Sequence, residues 1–230
     1  MPIYRLSPRP VFPDPRKAEP DGLLAMGGDL TPERLLTAYR AGIFPWYSED
    51  SPILWWSPPE RAIFLPGGPR FSRRTRRALR QLDFQVRCDT CFAEVIGLCS
   101  RTPRPGQDGT WITPEMERAY LALHREGYAH SFETFRDGRL VGGLYGLSLG
   151  AAFFGESMVS LESYASRAAF AELCRVAWGW GFQFIDGQLP NDNLTGLGAV
   201  VVDREDFLAR LEGALGQPTR RGAWGEPHDN

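Results

Sequence analysis

Apolar side chains return at helical spacing in four stretches of the chain. Leu35, Leu36 and Tyr39 do so behind Thr31-Pro32, a capping residue followed by a proline suited to a first helical turn, and Gly42 ends that helix. Met116, Ala119, Tyr120 and Leu123 follow Thr113-Pro114-Glu115 in the same way, and Gly127 stops them. Ala169, Leu173, Val176 and Trp180 mark a long helix over 163–180, and Phe207, Leu208, Leu211 and Leu215 a last one capped by Asp203. Elsewhere the pattern changes to short apolar and aromatic runs, which predict strands over 53–56, 84–87, 140–148, 151–154, 182–186 and 199–202. Gly150 turns the central two into an antiparallel hairpin. This order predicts an α+β fold, a mixed sheet flanked by helices rather than a doubly wound one. Prolines at 2, 8, 10, 13, 15 and 20 predict an extended or irregular N-terminal arm. Pro58-Pro59 is the best break, dividing a small unit (1–59) from a larger one (60–230).

Composition narrows the class. With 43% hydrophobic and 12% aromatic residues, 230 residues can bury a sizeable core, which excludes disorder and small disulfide scaffolds. The longest weakly polar stretch, 141–155, is broken by five glycines and is shorter than the roughly 20 residues a bilayer needs, so no membrane partner is expected. Met1-Pro2-Ile3-Tyr4-Arg5 offers no apolar leader, which predicts a cytoplasmic protein whose four cysteines stay reduced. Cys88-x-x-Cys91 has the spacing of half a metal site, but Cys99 brings no matching pair, so the pattern reads as free thiols and no metal is expected.

The net charge is −2, so the chain as a whole does not advertise a nucleic-acid partner. Locally it does. Arg70, Arg73, Arg74, Arg76, Arg77 and Arg80 crowd one segment that Ser72 can cap, and Arg73, Arg74, Arg77 and Arg80 follow helical spacing. A solvated face and an RNA-phosphate patch both fit, and composition does not decide between them. Other stretches are chemically unusual. Trp46, Trp55, Trp56 and Trp111 lie near loops and strand ends. Glu156 directly follows the 151–154 strand, and Asp186-Gly187-Gln188 ends another, the places where mixed folds carry polar chemistry.

Together these segments resemble the leucyl/phenylalanyl-tRNA–protein transferase family. The resemblance is carried by G-L-L-A-M-G-G-D-L, A-Y-R-A-G-I-F-P-W-Y, I-L-W-W-S-P, G-T-W-I-T, A-Y-L-A-L-H-R-E-G-Y-A-H-S-F-E, L-V-G-G-L-Y-G, F-F-G-E-S-M, A-S-R-A-A-F and I-D-G-Q, in order from about residue 22 to 199. It implies a small N-terminal domain joined to a larger N-acetyltransferase-like domain. The sequence departs from the family's N-x-H-L-x-S-L-G-A, with Asn193 for histidine and Gly196 for serine, and Gly187 stands where cysteine is common. Asn193 does not titrate, so any proton role at that position is lost.

The resemblance implies transfer of Leu or Phe, and less readily Met, from aminoacyl-tRNA to an N-terminal Arg or Lys of an acceptor protein, which marks that protein for the N-end rule degradation pathway. The ester is already activated, so neither ATP nor any other cofactor is implied. An α-amine of pKa about 7.7–8.0 is partly neutral at pH 7, so alignment can supply much of the acceleration. The implied roles are Asp186 and Gln188 holding the attacking amine, being two apart on a strand end and so pointing to one side, and Glu156 contacting a substrate amino group. Trp46 and Trp111 are implied to stack on the terminal adenosine, and Leu144, Phe153, Met158, Phe170 and Ile185 to line an apolar side-chain pocket. His124 and His130 read as structural. An acyl-CoA-dependent N-acetyltransferase is the main alternative, but its pyrophosphate loop has only a failed match, at residues 139–144. A non-catalytic RNA-binding module would leave Glu156, Asp186 and Gln188 without a task.

Overall fold

The computed structural model describes residues 3–102 and 112–225. Its first part holds β1 (Tyr4–Arg5), β2 (Leu23–Met26), α1 (Pro32–Arg40), β3 (Phe44–Pro45) and β4 (Leu54–Trp56), with the four strands in the order β1-β2-β4-β3. The proline-rich arm is less irregular than its prolines predict. β1 pairs with β2, and the buried Arg34 of α1 donates to the carbonyls of Ser7, Pro8 and Arg9 and to Asp29. The Arg34 guanidinium and the Thr31 donors lower the Asp29 carboxyl to about 2.

From Glu60 on, the chain builds β5 (Glu60–Phe64), α2 (Arg73–Gln81), β6 (Gln85–Cys88), α3 (Phe92–Arg101), α4 (Pro114–Arg125), β7 (Ala129–Arg136), β8 (Arg139–Leu149), β9 (Ala152–Ser160), α5 (Ala165–Gly179), β10 (Phe184–Asp186), α6 (Asp192–Gly196), β11 (Val200–Asp203) and α7 (Arg204–Leu215). Seven strands form one mixed sheet in the order β11-β5-β10-β9-β8-β7-β6. Only β9 and β10 run parallel, joined through α5, and every other neighbouring pair is antiparallel. The α+β class, the flanking helices and the β8–β9 hairpin are as the pattern predicts.

In this larger part β5, α3, β7 and the short α6 escape the pattern, as β1, β2 and β3 do in the first. β7 carries Ser131, Glu133 and Thr134 among its buried residues, so it shows neither an apolar run nor alternation. Those polar groups are satisfied by neighbours: Thr90 and Ser131 donate to Glu133, and Thr134 donates to the Ala165 carbonyl. One buried cluster then runs through both parts of the chain, with Leu35, Tyr39, Phe44 and Trp55 meeting Tyr120, Tyr145, Phe154 and Phe184.

Beyond α7 the chain returns across the sheet. Gly150 N–H donates to Thr219, and Arg221 donates to the Glu126 carbonyl. Trp224 drops into a ring cage, stacked on His130 at 3.9 Å and edge-on to Trp180 and Phe182, while its backbone N–H donates to Asp89. His130 also bonds Asp89 (2.8 Å), and His124 stacks on Phe92, so both histidines are packed into the fold.

Candidate active site

The site begins with an irregularity in β9. Along the hairpin Tyr145 pairs with Ser157 and Gly146 with Gly155, which leaves Glu156 as an extra residue without a partner on β8. Such a bulge re-aims a side chain and twists its strand. Gly146 permits it, because a Cβ there would overlap the Phe154 carbonyl oxygen. The strand runs on to Ser160, so Glu156 lies inside it and not after its end as the pattern suggests.

The re-aimed carboxylate is buried and meets donors from three directions. Tyr39 of α1 donates to Oε1 (2.7 Å), Tyr120 of α4 to Oε2 (2.8 Å), and the Gln188 amide nitrogen to Oε1 (3.0 Å). The two phenols also hydrogen-bond to each other. Burial pushes the Glu156 carboxyl up to about 7, against the lowering effect of the phenolic donors. Burial and the Glu156 charge raise both tyrosines well above their ordinary value.

Asp186 ends β10 and is fully buried. Arg61 of β5 grips both its oxygens and also donates to the Gly42 carbonyl (3.1 Å). The guanidinium lies between the rings of Phe44 (4.9 Å) and Phe207 (4.2 Å). Gln188 lies beyond the strand in the left-handed region (φ 64°), so strand parity with Asp186 does not apply to it. Its conformation is fixed by its own N–H donating to Asp186 Oδ1 (2.7 Å) and its carbonyl accepting from Ala62 N–H (2.8 Å). Asp186 therefore braces the turn, and the Gln188 side chain reaches Glu156.

Glu156, Asp186 and Gln188 open onto one cleft of about 370 Å³. Leu144, Met158, Phe170 and Ile185 line it, with Phe64 and Leu173, and Trp46 stands at its edge, 37% exposed and tilted against Trp56. Phe153 does not reach the cleft. It lies on the same face of the sheet as its β10 partner Ile185, but its ring is fully buried against Gly146 and Trp224, behind the cleft wall. Trp111 lies outside the described residues. Asn193 of α6 borders the cleft and also a polar depression formed with Arg74 and Arg167.

Ser72 caps α2 as expected, and its arginines are exposed. They split between two directions. Arg73, Arg76, Arg77 and Arg80 share one shallow groove, while Arg74 faces the depression beside Met158 and Asn193. Cys88, Cys91, Cys99 and Cys174 form no disulfide with one another, and burial pushes Cys91 and Cys174 up to about 12. Among the described residues no three His, Cys, Asp or Glu side chains are grouped to hold a metal ion.

Residues 139–144 form the start of β8, paired with β7 and from Gly142 with β9 also, and not a loop able to cradle a pyrophosphate, which removes the one segment behind the acyl-CoA alternative. An aminoglycoside N-acetyltransferase solved with coenzyme A is similar over 63% of this chain and 95% of that chain, at 14% identity and a TM-score of 0.36. Residues 63–212 match the family described as leucyl/phenylalanyl-tRNA protein transferase, and residues 28–59 match that family's N-terminal domain. The leucyl/phenylalanyl-tRNA–protein transferase of Nitratidesulfovibrio vulgaris is 53% identical over 95% of this chain and 94% of its own length. Those of Anaeromyxobacter dehalogenans and Myxococcus xanthus are 53% and 51% identical, covering 97% and 98% of this chain and 96% and 97% of their own. With near-complete coverage at such identity, the chain belongs to the leucyl/phenylalanyl-tRNA–protein transferase family.

Proposed function

We propose that the protein transfers leucine or phenylalanine, and less readily methionine, from aminoacyl-tRNA to the N-terminal arginine or lysine of acceptor proteins in the cytoplasm, marking them for degradation. The observation that carries this reading is the cleft itself: an apolar floor opening directly onto Glu156, Asp186 and Gln188, with an exposed tryptophan at its edge. A Leu or Phe side chain buried on that floor gains about 1.5–3 kcal/mol over an exposed one. A charged side chain meets no partner among Leu144, Met158, Phe170 and Ile185 and incurs a large desolvation penalty. Trp46 supplies a face for a terminal base, with Trp111 as its expected counterpart, and the α2 arginines supply phosphate contacts.

In the transfer step the acceptor amine nitrogen forms the new C–N bond and the ester C–O bond to the terminal ribose breaks. The proton lost by the amine ends on the ribose hydroxyl. The substrate carries its own activation, so the cleft's task is to hold a neutral amine against an oriented ester. The Gln188 side-chain carbonyl is the acceptor that would hold that amine, since the side-chain nitrogen is committed to Glu156.

The test supplies the full-length protein with matched labelled Leu-, Phe-, Met-, Val- and Arg-tRNA and peptides beginning with Arg, Lys or Ala. A parallel arm offers acetyl-CoA to the same peptides. Leu and Phe should pass to the Arg and Lys peptides, Met more slowly, Val weakly, and Arg not at all. Efficient transfer of Arg, or acetylation without aminoacyl transfer, would refute the reading.

A further inference from the structure

Tyr39 and Tyr120 come from α1 and α4, one in each part of the chain, yet their hydroxyls converge on Glu156 and on each other. Three oxygen–oxygen contacts join Tyr39, Tyr120 and Glu156, while the two phenols own one hydrogen each. With Glu156 ionised, both phenolic hydrogens go to the carboxylate and the phenol–phenol contact holds none. With Glu156 protonated, its O–H donates to one phenol, that phenol to the other, and the last back to the carboxyl, so the ring closes. The cluster therefore accommodates either two or three protons, the phenol oxygens drawing apart where no hydrogen lies between them.

The charge state has a consequence for Gln188. An ionised Glu156 only accepts, so the Gln188 amide must present its nitrogen inward, as it does at 3.0 Å, and its carbonyl is left for the cleft. A protonated Glu156 has one hydrogen, and when it gives that hydrogen to Gln188 instead of to a phenol, the amide turns its side-chain carbonyl inward and its nitrogen toward the substrate. A nitrogen donor there repels the amine hydrogens that the carbonyl would accept.

We infer that Tyr39 and Tyr120 are positioning residues that act through Glu156, holding it ionised so that the Gln188 carbonyl faces the acceptor amine, and that this ring makes aminoacyl transfer dependent on the protonation of Glu156. The inference rests on the transfer reaction proposed above. The groups around the carboxylate are Tyr39 from α1, Tyr120 from α4 with Tyr145 of β8 edge-on to it (5.5 Å), Gln188, and Asp186 of β10, which is itself held by Arg61 of β5. Burial foremost, and then the Asp186 charge, raise the Glu156 carboxyl, while the phenols and Gln188 lower it, leaving it at about 7.

The experiment measures single-turnover transfer of leucine from Leu-tRNA to an Arg-initiated peptide between pH 5.5 and 9.5, for the full-length protein and for Tyr39→Phe, Tyr120→Phe, the double variant and Glu156→Gln. The acceptor amine contributes a limb of its own at about 7.7–8.0 that enzyme substitutions leave in place. Wild type should therefore lose rate with a slope approaching two below pH about 6.5, and Glu156→Gln with a slope of one. Each Tyr→Phe removes a donor to a charged carboxylate and should move the Glu156 limb up by about one pH unit, lowering the rate about fivefold at pH 7 and little at pH 9. Donor affinity should stay within about twofold. A rate lowered equally at every pH, or unchanged, overturns the inference, because a merely structural role does not move the limb. The carboxyl stretch in the infrared difference between wild type and Glu156→Gln reads the same ionisation without turnover. Titration near pH 7 that moves upward in the Tyr→Phe variants supports the ring, and titration near 4.5 in every variant overturns it. Absence of transfer by wild type at all pH values would instead remove the reaction on which the inference rests.

Discussion

A carboxyl group raised by burial has a cost in stability as well as a use in the site. The ordinary glutamate value is 4.5, whereas Glu156 in the folded protein ionises at about 7. Between those pH values the native state keeps a proton that the unfolded chain has lost, so stability falls as pH rises through the window. The whole loss is on the order of 3 kcal/mol at one shifted group. Glu156→Gln keeps the size and the hydrogen-bonding capacity but has nothing to ionise. Urea midpoints at pH 5 and pH 8 should differ less for Glu156→Gln than for wild type, with the variant the more stable of the two at pH 8. Equal pH dependence in both proteins would show that Glu156 does not titrate in that range. The residue thus works against the fold in the charge state that the site uses.

Among the helices α2 is the one whose composition local stability does not explain. Arg73 and Arg74 occupy its first turn, where the helix dipole disfavours cations, and no acidic residue joins them. Arg73, Arg76, Arg77 and Arg80 nevertheless line one exposed groove. If these four meet tRNA phosphates, replacing them with glutamine should flatten the plot of log affinity against log salt by roughly 0.7–0.9 for each phosphate no longer neutralised. A slope equal to wild type would make the groove ordinary solvated surface. The spacing in the sequence located this helix and its cap but assigned Arg74 to the face that Arg76 occupies. The same limit recurs at other elements. Periodicity found α4 and α5 because each buries one apolar stripe, and missed β7 because its inward positions are polar and satisfied only by residues distant in sequence. It also stopped β9 at Phe154, since a bulge carrying a carboxylate looks like the end of a strand. Of the site, Glu156, Asp186, Gln188 and the lining residues Leu144, Met158, Phe170 and Ile185 were named through the family motifs, whereas Phe153 was placed in the cleft wrongly and Phe64 and Leu173 were missed. Tyr39, Tyr120 and Arg61 were not legible, because two read as apolar faces of helices and the third lies in a strand the pattern did not predict.

At the scale of the whole molecule, Arg61 joins pieces that the proline pair separates. It binds Asp186 in the large sheet and the Gly42 carbonyl behind α1, and it lies between Phe44 and Phe207. Tyr39 reaches Glu156 across the same boundary. We propose that residues 1–59 and 60–230 are separate in architecture but unfold together. Calorimetry should give one transition for wild type. Arg61→Leu leaves Asp186 buried without its cation and should cost about 3–5 kcal/mol while keeping that single transition. Two resolved transitions in wild type would show that the units are independent. The Trp224 cage extends this dependence into the order of synthesis. Its walls, His130, Phe132, Phe153, Trp180 and Phe182, all leave the ribosome before the ring that fills them. A nascent chain halted between Phe182 and Trp224 has every wall of that cage and nothing to fill it, an apolar hole behind β8 and β9 on which a chaperone scanning unfinished chains would find its grip.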